Sequence, residues 1–380
     1  MDIDAPTPLL GGLSPATFMR RHWQKKPLLV RQALPGVKAP LTRTALFDLA
    51  GSDDTESRLV VRDGEHWTVR HGPLARRALP PARQPGWTLL VQGLDMQVAA
   101  AHRLLSHFRF VPAARLDDLM MSWASDGGGV GPHLDAYDVF LIQVQGRRRW
   151  RVGRSADRRW IDGLPLKILR HFEPEHEWLL EPGDMLYLPP LWAHDGVAEG
   201  ECMTCSVGFR APAGAELARQ LLQRLGDEND DEGDNQGAGA AVRPYRDPAQ
   251  AATHTPGALP PPLLAFARNA VQRLLDRPGE LERALGEVLT EPKPDVWFPA
   301  GDGAAGPGVV LDARTRMMYD PNHVFINGES FRASGRDARL MRTLADRRRL
   351  SVAARATLSA DAAALVAEWL AHGWLRGSDT

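Results

Sequence analysis

Cysteine is nearly absent from this chain of 380 residues, with only Cys202 and Cys205 present. Two thiols are too few for a disulfide scaffold, and a lone C-x-x-C lacks the second pair that a zinc ribbon needs. If that stretch is a strand, residues three apart point to opposite faces, so both read as small buried hydrophobes. Long apolar runs are missing too: nothing approaches the roughly 18 unbroken apolar residues of a membrane span. The opening MDIDAPTPLL carries acids where a secretory leader would be basic, so a soluble, cytoplasmic protein with no membrane partner is expected. Charge of one sign is not in excess either. Lys plus Arg (46) nearly cancels Asp plus Glu (47), which leaves any partner to be met by a local patch.

What is present is apolar residue in ordinary supply, 43% of a chain long enough for two or three domains. Composition shifts most sharply at GDENDDEGDNQGAGA, residues 226–240, where acids and glycines leave nothing to bury and a flexible acidic loop is expected. Before it, residues 80–212 hold short apolar runs broken by Gly and Pro, such as DVFLIQVQG and DMLYLPP, and read as the strands of an all-β unit. After it, Leu264, Val271, Leu274 and Leu275 fall at helical spacing behind Pro260, and Leu281, Leu285, Val288 and Leu289 repeat the pattern until Pro292. Helices whose apolar faces lack a nearby core pack on a neighbour or a second copy, and a homodimer is the expectation. The remaining residues read as short strands with an Asn327-Gly328 turn, then helices over 336–348 and 360–371, the latter between Ser359 as N-cap and Gly373 as stop. That is the outline of a winged helix. The run Arg336, Arg339, Arg342, Arg347 and Arg348 reads more readily as a solvated face than as a DNA reader, because the unit also carries acids.

The stretch with chemistry is GGGVGPHLDAYDVFLIQVQGRRRWRVG, residues 127–153. His133 and Asp135 lie two apart on an expected extended segment, so both side chains point to one face, as ligands of a single metal must. Alone, H-x-D is weak. Further along, EPGDMLYLPPLWAHDG delivers His194 at the end of a strand-like run. Two histidines and one carboxylate make the facial triad that holds non-haem Fe(II) and leaves coordination positions open for a chelating oxo-acid and O2, although manganese or zinc suits the same donors.

Arginine placement offers a second test. If Gln145-Gly146 is a two-residue hairpin turn, Gln143 opposes Arg148, and strict alternation carries Gln143 back to the face of Asp135 and His133. Arg148, with Trp150 and Val152, then points into the metal cavity, while Arg147, Arg149 and Arg151 point away. A cation inside an apolar barrel calls for an anion, and a guanidinium forks onto a carboxylate. A bulge between 135 and 148 would reverse the assignment, and a solvated edge strand would make all four arginines alike.

PGDMLYLPPLWAH resembles the second cupin motif. With H-x-D, the distant histidine and GRRRWRVG, the chain looks like the JmjC-type 2-oxoglutarate oxygenases, most closely the bacterial ribosomal oxygenases that hydroxylate an arginine of large-subunit ribosomal protein sixteen. The opening LSPATFMRRHWQKKPLLVRQ is similar to that group's N-terminus, so the resemblance covers nearly the whole chain. It implies an α+β protein in three parts. These are a double-stranded β-helix (cupin/JmjC jelly roll) over 1–212, a helical dimerisation region over 213–295, and a winged-helix-like domain over 296–380. It also implies His133, Asp135 and His194 as iron ligands, Arg148 as partner of the distal 2-oxoglutarate carboxylate, and Ser122 as a further hydrogen bond to it. Asp126 matches a position that meets the substrate guanidinium, beside its plain reading as a loop carboxylate. The implied cofactors are Fe(II), 2-oxoglutarate as co-substrate and O2, and the implied partner is a ribosomal protein, with DNA disfavoured. Two alternatives stand beside this: a demethylase of a methylated basic residue, and a DNA-binding regulator that senses a small carboxylate.

Overall fold

A computed structural model describes residues 2–235, 244–248, 252, 254–255, 257–301 and 306–379, and divides into two units, 1–211 and 212–380. In the first unit, α1 (Pro15–Arg21) starts where Ser14 accepts a hydrogen bond from the Thr17 amide at 3.2 Å, with Pro15 in the position that lacks a partner for its nitrogen anyway. Its Phe18 is fully buried among Phe140, Tyr187 and Trp23, a burial that contributes on the order of 2 kcal/mol. The chain then adds β1 (Leu28–Val30), α2 (Arg43–Leu49), β2 (Ser57–Asp63), β3 (His66–His71) and β4 (Trp87–Val91). The expectation of an all-β unit over 80–212 fails at α3 (Leu94–Gln97) and α4 (Ala99–Ser106). There Ala101, Leu104 and Leu105 are buried at helical spacing, a periodicity that the surrounding strand-like runs obscured. β5 (Leu116–Ala124), β6 (Val139–Arg154), β7 (His176–Leu180), β8 (Met185–Leu188) and β9 (Trp192–Phe209) complete the unit.

All these strands pair antiparallel in one sheet of order β1-β8-β6-β9-β5-β4-β2-β3, with β7 on the second half of β6. Two faces result. Phe140, Ile142, Met121, Trp123, Cys205 and Val207 join the main core, while Val139, Leu141, Trp150, Val152, Leu180 and Leu188 pack together on the other side. Cys202 clusters with Ala124 and Ala198 rather than with Cys205, so the two buried, free thiols do occupy opposite faces. Directly opposed residues form a lateral row, Arg58–Leu90–Ser122–Thr204–Gln143, across five strands.

The hairpin expected at Gln145-Gly146 is absent. β6 runs straight through it, and both of its halves pair with β9. Instead the register shifts between Gln143 and Arg147, and Gly146 sits in the left-handed region at φ 63°, the signature of a bulge. A bulge without a turn reverses the alternation once, as a turn without a bulge would have done. Arg148 therefore still shares the face of Val139, Leu141 and Trp150, for a different reason from the one expected.

In the second unit, α5 (Gly214–Asn235) extends through most of the stretch expected to be an acidic loop. Once the amphipathic part of the helix is nucleated, each further residue is fixed for one more hydrogen bond, so an acidic tail can continue it. Residues 236–240 of that stretch lie outside the described residues. α6 (Pro261–Leu275) and α7 (Glu280–Thr290) follow the expected bounds closely. Next come β10 (Gly308–Leu311), β11 (Met317–Tyr319), β12 (His323–Ile326), β13 (Glu329–Arg332), α8 (Gly335–Arg347), β14 (Arg349–Leu350), α9 (Val352–Arg355), α10 (Ala360–Ala371) and β15 (Leu375–Ser378). Asn327 and Gly328, both at positive φ, form the β12–β13 turn, and Ser359 caps α10 through the Ala362 amide. The boundary expected near 295 falls inside this unit. α7 packs on β12 and β13, where the Phe325 ring leaves no room for a side chain at Gly286 and Ser330 donates to Glu287. No helix among the described residues is long and apolar enough to cross a membrane.

Candidate active site

The segment that carries His133 and Asp135 is irregular rather than a strand, and a backbone bridge fixes it: His133 and His194 exchange both amide-to-carbonyl hydrogen bonds at 3.0 Å. The Leu191 amide, at the corner before β9, donates to the Asp135 carbonyl at 2.8 Å. These bonds bring together three side chains distant in sequence. One donor atom from each of His133, Asp135 and His194 lies within 4.8 Å of the others. The Asp135 carboxylate is 3.6 Å from His194 Nε2 and 3.9 Å from His133 Nε2.

Both imidazoles are set as ligands. His133 Nδ1 lies 2.8 Å from the Gly131 carbonyl and His194 Nδ1 lies 2.9 Å from the Trp192 carbonyl, so each Nδ1–H has an acceptor and each Nε2 lone pair faces its neighbours. Burial, with the adjacent His133 second, lowers the His194 pKa to about 4, against the opposing pull of Asp135. His194 is thus a neutral donor near neutral pH. Nothing closes the cluster into a four-ligand structural site among the described residues, and the donor set suits a divalent ion with open positions.

Arg148 projects from the same face, between Ala198 of β9 and Leu180 of β7. It is 6% exposed, and its Nε and Nη2 are buried without a hydrogen-bond partner. Leaving two guanidinium nitrogens unsatisfied is costly, and a carboxylate on this face would satisfy both at once. Its neighbours differ. Arg149 Nη1 meets Glu177 at 2.7 Å and its Nε meets Glu199 at 2.7 Å, Arg151 meets Asp195 at 2.6 Å, and Arg147 stands 4.0 Å from Glu199. Trp150 packs beneath, with its ring 5.7 Å from the Arg148 guanidinium carbon and 5.9 Å from the His194 ring.

Ser122 lies buried on this face, its hydroxyl 3.4 Å from the Thr204 carbonyl. Asp126 is exposed just before the Gly127–Gly129 run that leads to His133. Its carboxylate accepts the Gly200 amide at 2.8 Å, which ties that run to β9.

The likeness to known proteins follows the same pattern. The JmjC domain family matches residues 103–217, and the ROXA-like winged helix matches residues 273–376. The ribosomal protein uL16 3-hydroxylase of Escherichia coli K12 is 33% identical over 337 residues, which is 84% of this chain and 86% of that protein. The chain belongs to the ribosomal oxygenase family. A crystal structure of the E. coli ribosomal oxygenase YcfD superposes with a TM-score of 0.81 at 30% identity, covering 95% of this chain and 97% of that one. Another, in complex with cobalt and 2-oxoglutarate, gives 0.77 at 30% identity and covers 96% and 98%. The curled sheet is accordingly the JmjC cupin barrel, and the C-terminal portion is the winged helix, as expected.

Four residues at this ribosomal-oxygenase site escaped the sequence reading. Tyr137 lies two residues after Asp135, and desolvation followed by that carboxylate raises its pKa, keeping the phenol protonated. Asp118 and Arg58 also act on Tyr137 electrostatically. Alternation along β5 would have placed Asp118 with Ser122, and the H-x-D-x-Y spacing would have placed Tyr137 beside Asp135. Gly196 opposes Trp150 so closely that a Cβ would stand 2.6 Å from the indole, a demand that only the pairing of β6 with β9 reveals.

Proposed function

We propose that this chain is an Fe(II)- and 2-oxoglutarate-dependent oxygenase that hydroxylates an arginine side chain of ribosomal protein uL16 in the cytoplasm. The observation that carries the reading is the buried Arg148 guanidinium with two unpartnered nitrogens on the face that bears the triad. His133, Asp135 and His194 hold the metal, and Arg148, helped by the Ser122 hydroxyl, takes the distal carboxylate of 2-oxoglutarate. Bound iron and 2-oxoglutarate supply the oxidising power from O2, with succinate and CO2 as co-products. The chain's own task is placement. Trp150, Leu141 and Leu180 keep water from the face behind the metal, and the exposed Asp126 carboxylate, just before the Gly127–Gly129 run, is the group offered to a cationic substrate side chain.

The 213–295 region is proposed as the dimerisation element. α6 buries none of its residues, and Leu263, Leu264, Phe266, Val271 and Leu275 are each more than a third exposed, a face that a second copy would cover. The test of function is tandem mass spectrometry of a uL16 peptide after incubation with the protein, Fe(II), 2-oxoglutarate and O2. One added oxygen on arginine, matched by succinate, is expected. Loss of a methyl group from a methylated peptide with no such addition would favour the demethylase.

A further inference from the structure

The alternation of β6 reverses between Gln143 and Arg148, and one fully buried side chain spans the reversal. Gln143 Nε2 donates to the Gln145 carbonyl at 2.8 Å and to the Gly146 carbonyl at 3.4 Å, while its Oε1 accepts the Thr204 hydroxyl at 2.9 Å. A Cβ at Gly146 would collide with the Glu201 carbonyl, so the bulge is pressed against β9 on its other side. Were the bulge to relax by a single residue, β6 beyond it would exchange faces: Arg148 would turn out, and Arg147 or Arg149 would turn in and leave its glutamate.

We infer that Gln143 and Thr204 are positioning residues that hold the bulge, and through it keep the Arg148 guanidinium on the face where 2-oxoglutarate binds. Neither touches the metal. The inference rests on the reading of Arg148 given under Proposed function, and its test separates the two.

The test is calorimetric titration of the Mn(II)-loaded protein with 2-oxoglutarate, alongside titration of the metal-free protein with Mn(II). Failure of the unsubstituted protein to bind 2-oxoglutarate would defeat the underlying reading before any variant is made. Gln143→Leu should weaken 2-oxoglutarate about tenfold or more, as expected when a charged hydrogen bond is misplaced, while Mn(II) affinity stays the same. Deletion of Gln145 takes one residue out of the bulged segment, and simple alternation from position 143 then carries Arg148 inward without help. In that background Gln143→Leu should have little effect on 2-oxoglutarate affinity. Unchanged affinity in Gln143→Leu, equal weakening of metal and 2-oxoglutarate, or no recovery in the deletion background would each overturn the inference. If Gln143→Leu fails to fold, Thr204→Val removes the same support from β9 and is read by the affinity criteria: selective weakening of 2-oxoglutarate supports the inference, and any other result overturns it.

Discussion

The two faces of the second half of β6 carry the same residue type under opposite conditions. On the outer face Arg147, Arg149 and Arg151 stand beside Glu199, Glu177 and Asp195, all supplied by the chain itself. On the inner face Arg148 is the most buried of the four, and two of its nitrogens have no partner. An arginine whose acid is encoded in the fold adds little stability when exposed. One kept buried without an acid lowers stability in the free protein, and that cost is explained when a ligand brings the carboxylate.

The comparison breaks most severely at the triad. His133→Ala, Asp135→Ala and His194→Ala should each abolish 2-oxoglutarate turnover, followed as succinate formation, with the thermal midpoint largely kept because the ligands serve an open site and not a structural one. Full turnover in any of the three would remove that residue from the metal centre. An intermediate effect is expected at Gly196→Ala. The new methyl would press on Trp150, which lies against both His194 and Arg148, so stability should fall by about 1 to 3 kcal/mol in denaturant titrations and metal affinity should fall with it. The smallest effect belongs to the outer face. Arg149→Ala loses exposed ion pairs and should leave the thermal midpoint nearly unchanged, with the 2-oxoglutarate requirement unaltered. A strong rise in that requirement would erase the distinction between the faces.

Much of this was legible before the fold was in hand. The triad could be read because ligand chemistry restricts residue types, so H-x-D and a distant histidine after a strand narrow the choice even without a known path between them. Ser359, the Asn327-Gly328 turn and the proline-bounded helices could be read because local backbone rules decide them. The route to Arg148 could not. A Gln-Gly pair signals a turn and a bulge almost equally, and only the pairing of β6 with β9 on both sides of it distinguishes them. The tie between Asp126 and Gly200 could not be read either, because that bond joins residues far apart in sequence. The acidic stretch after 226 was read from composition, which reports the absence of a core and not the absence of a helix.

The most direct test of the account is the affinity of the Mn(II)-loaded protein for 2-oxoglutarate in Arg148→Ala and Arg147→Ala, compared in the same calorimetric titration. Removing one partner of a buried charged pair costs on the order of 2 to 5 kcal/mol, so Arg148→Ala should bind at least about thirtyfold more weakly while Arg147→Ala binds as the unsubstituted protein does. Equal affinity in the two variants, or the larger loss at Arg147, would contradict the assignment of the inner-face guanidinium to the ligand.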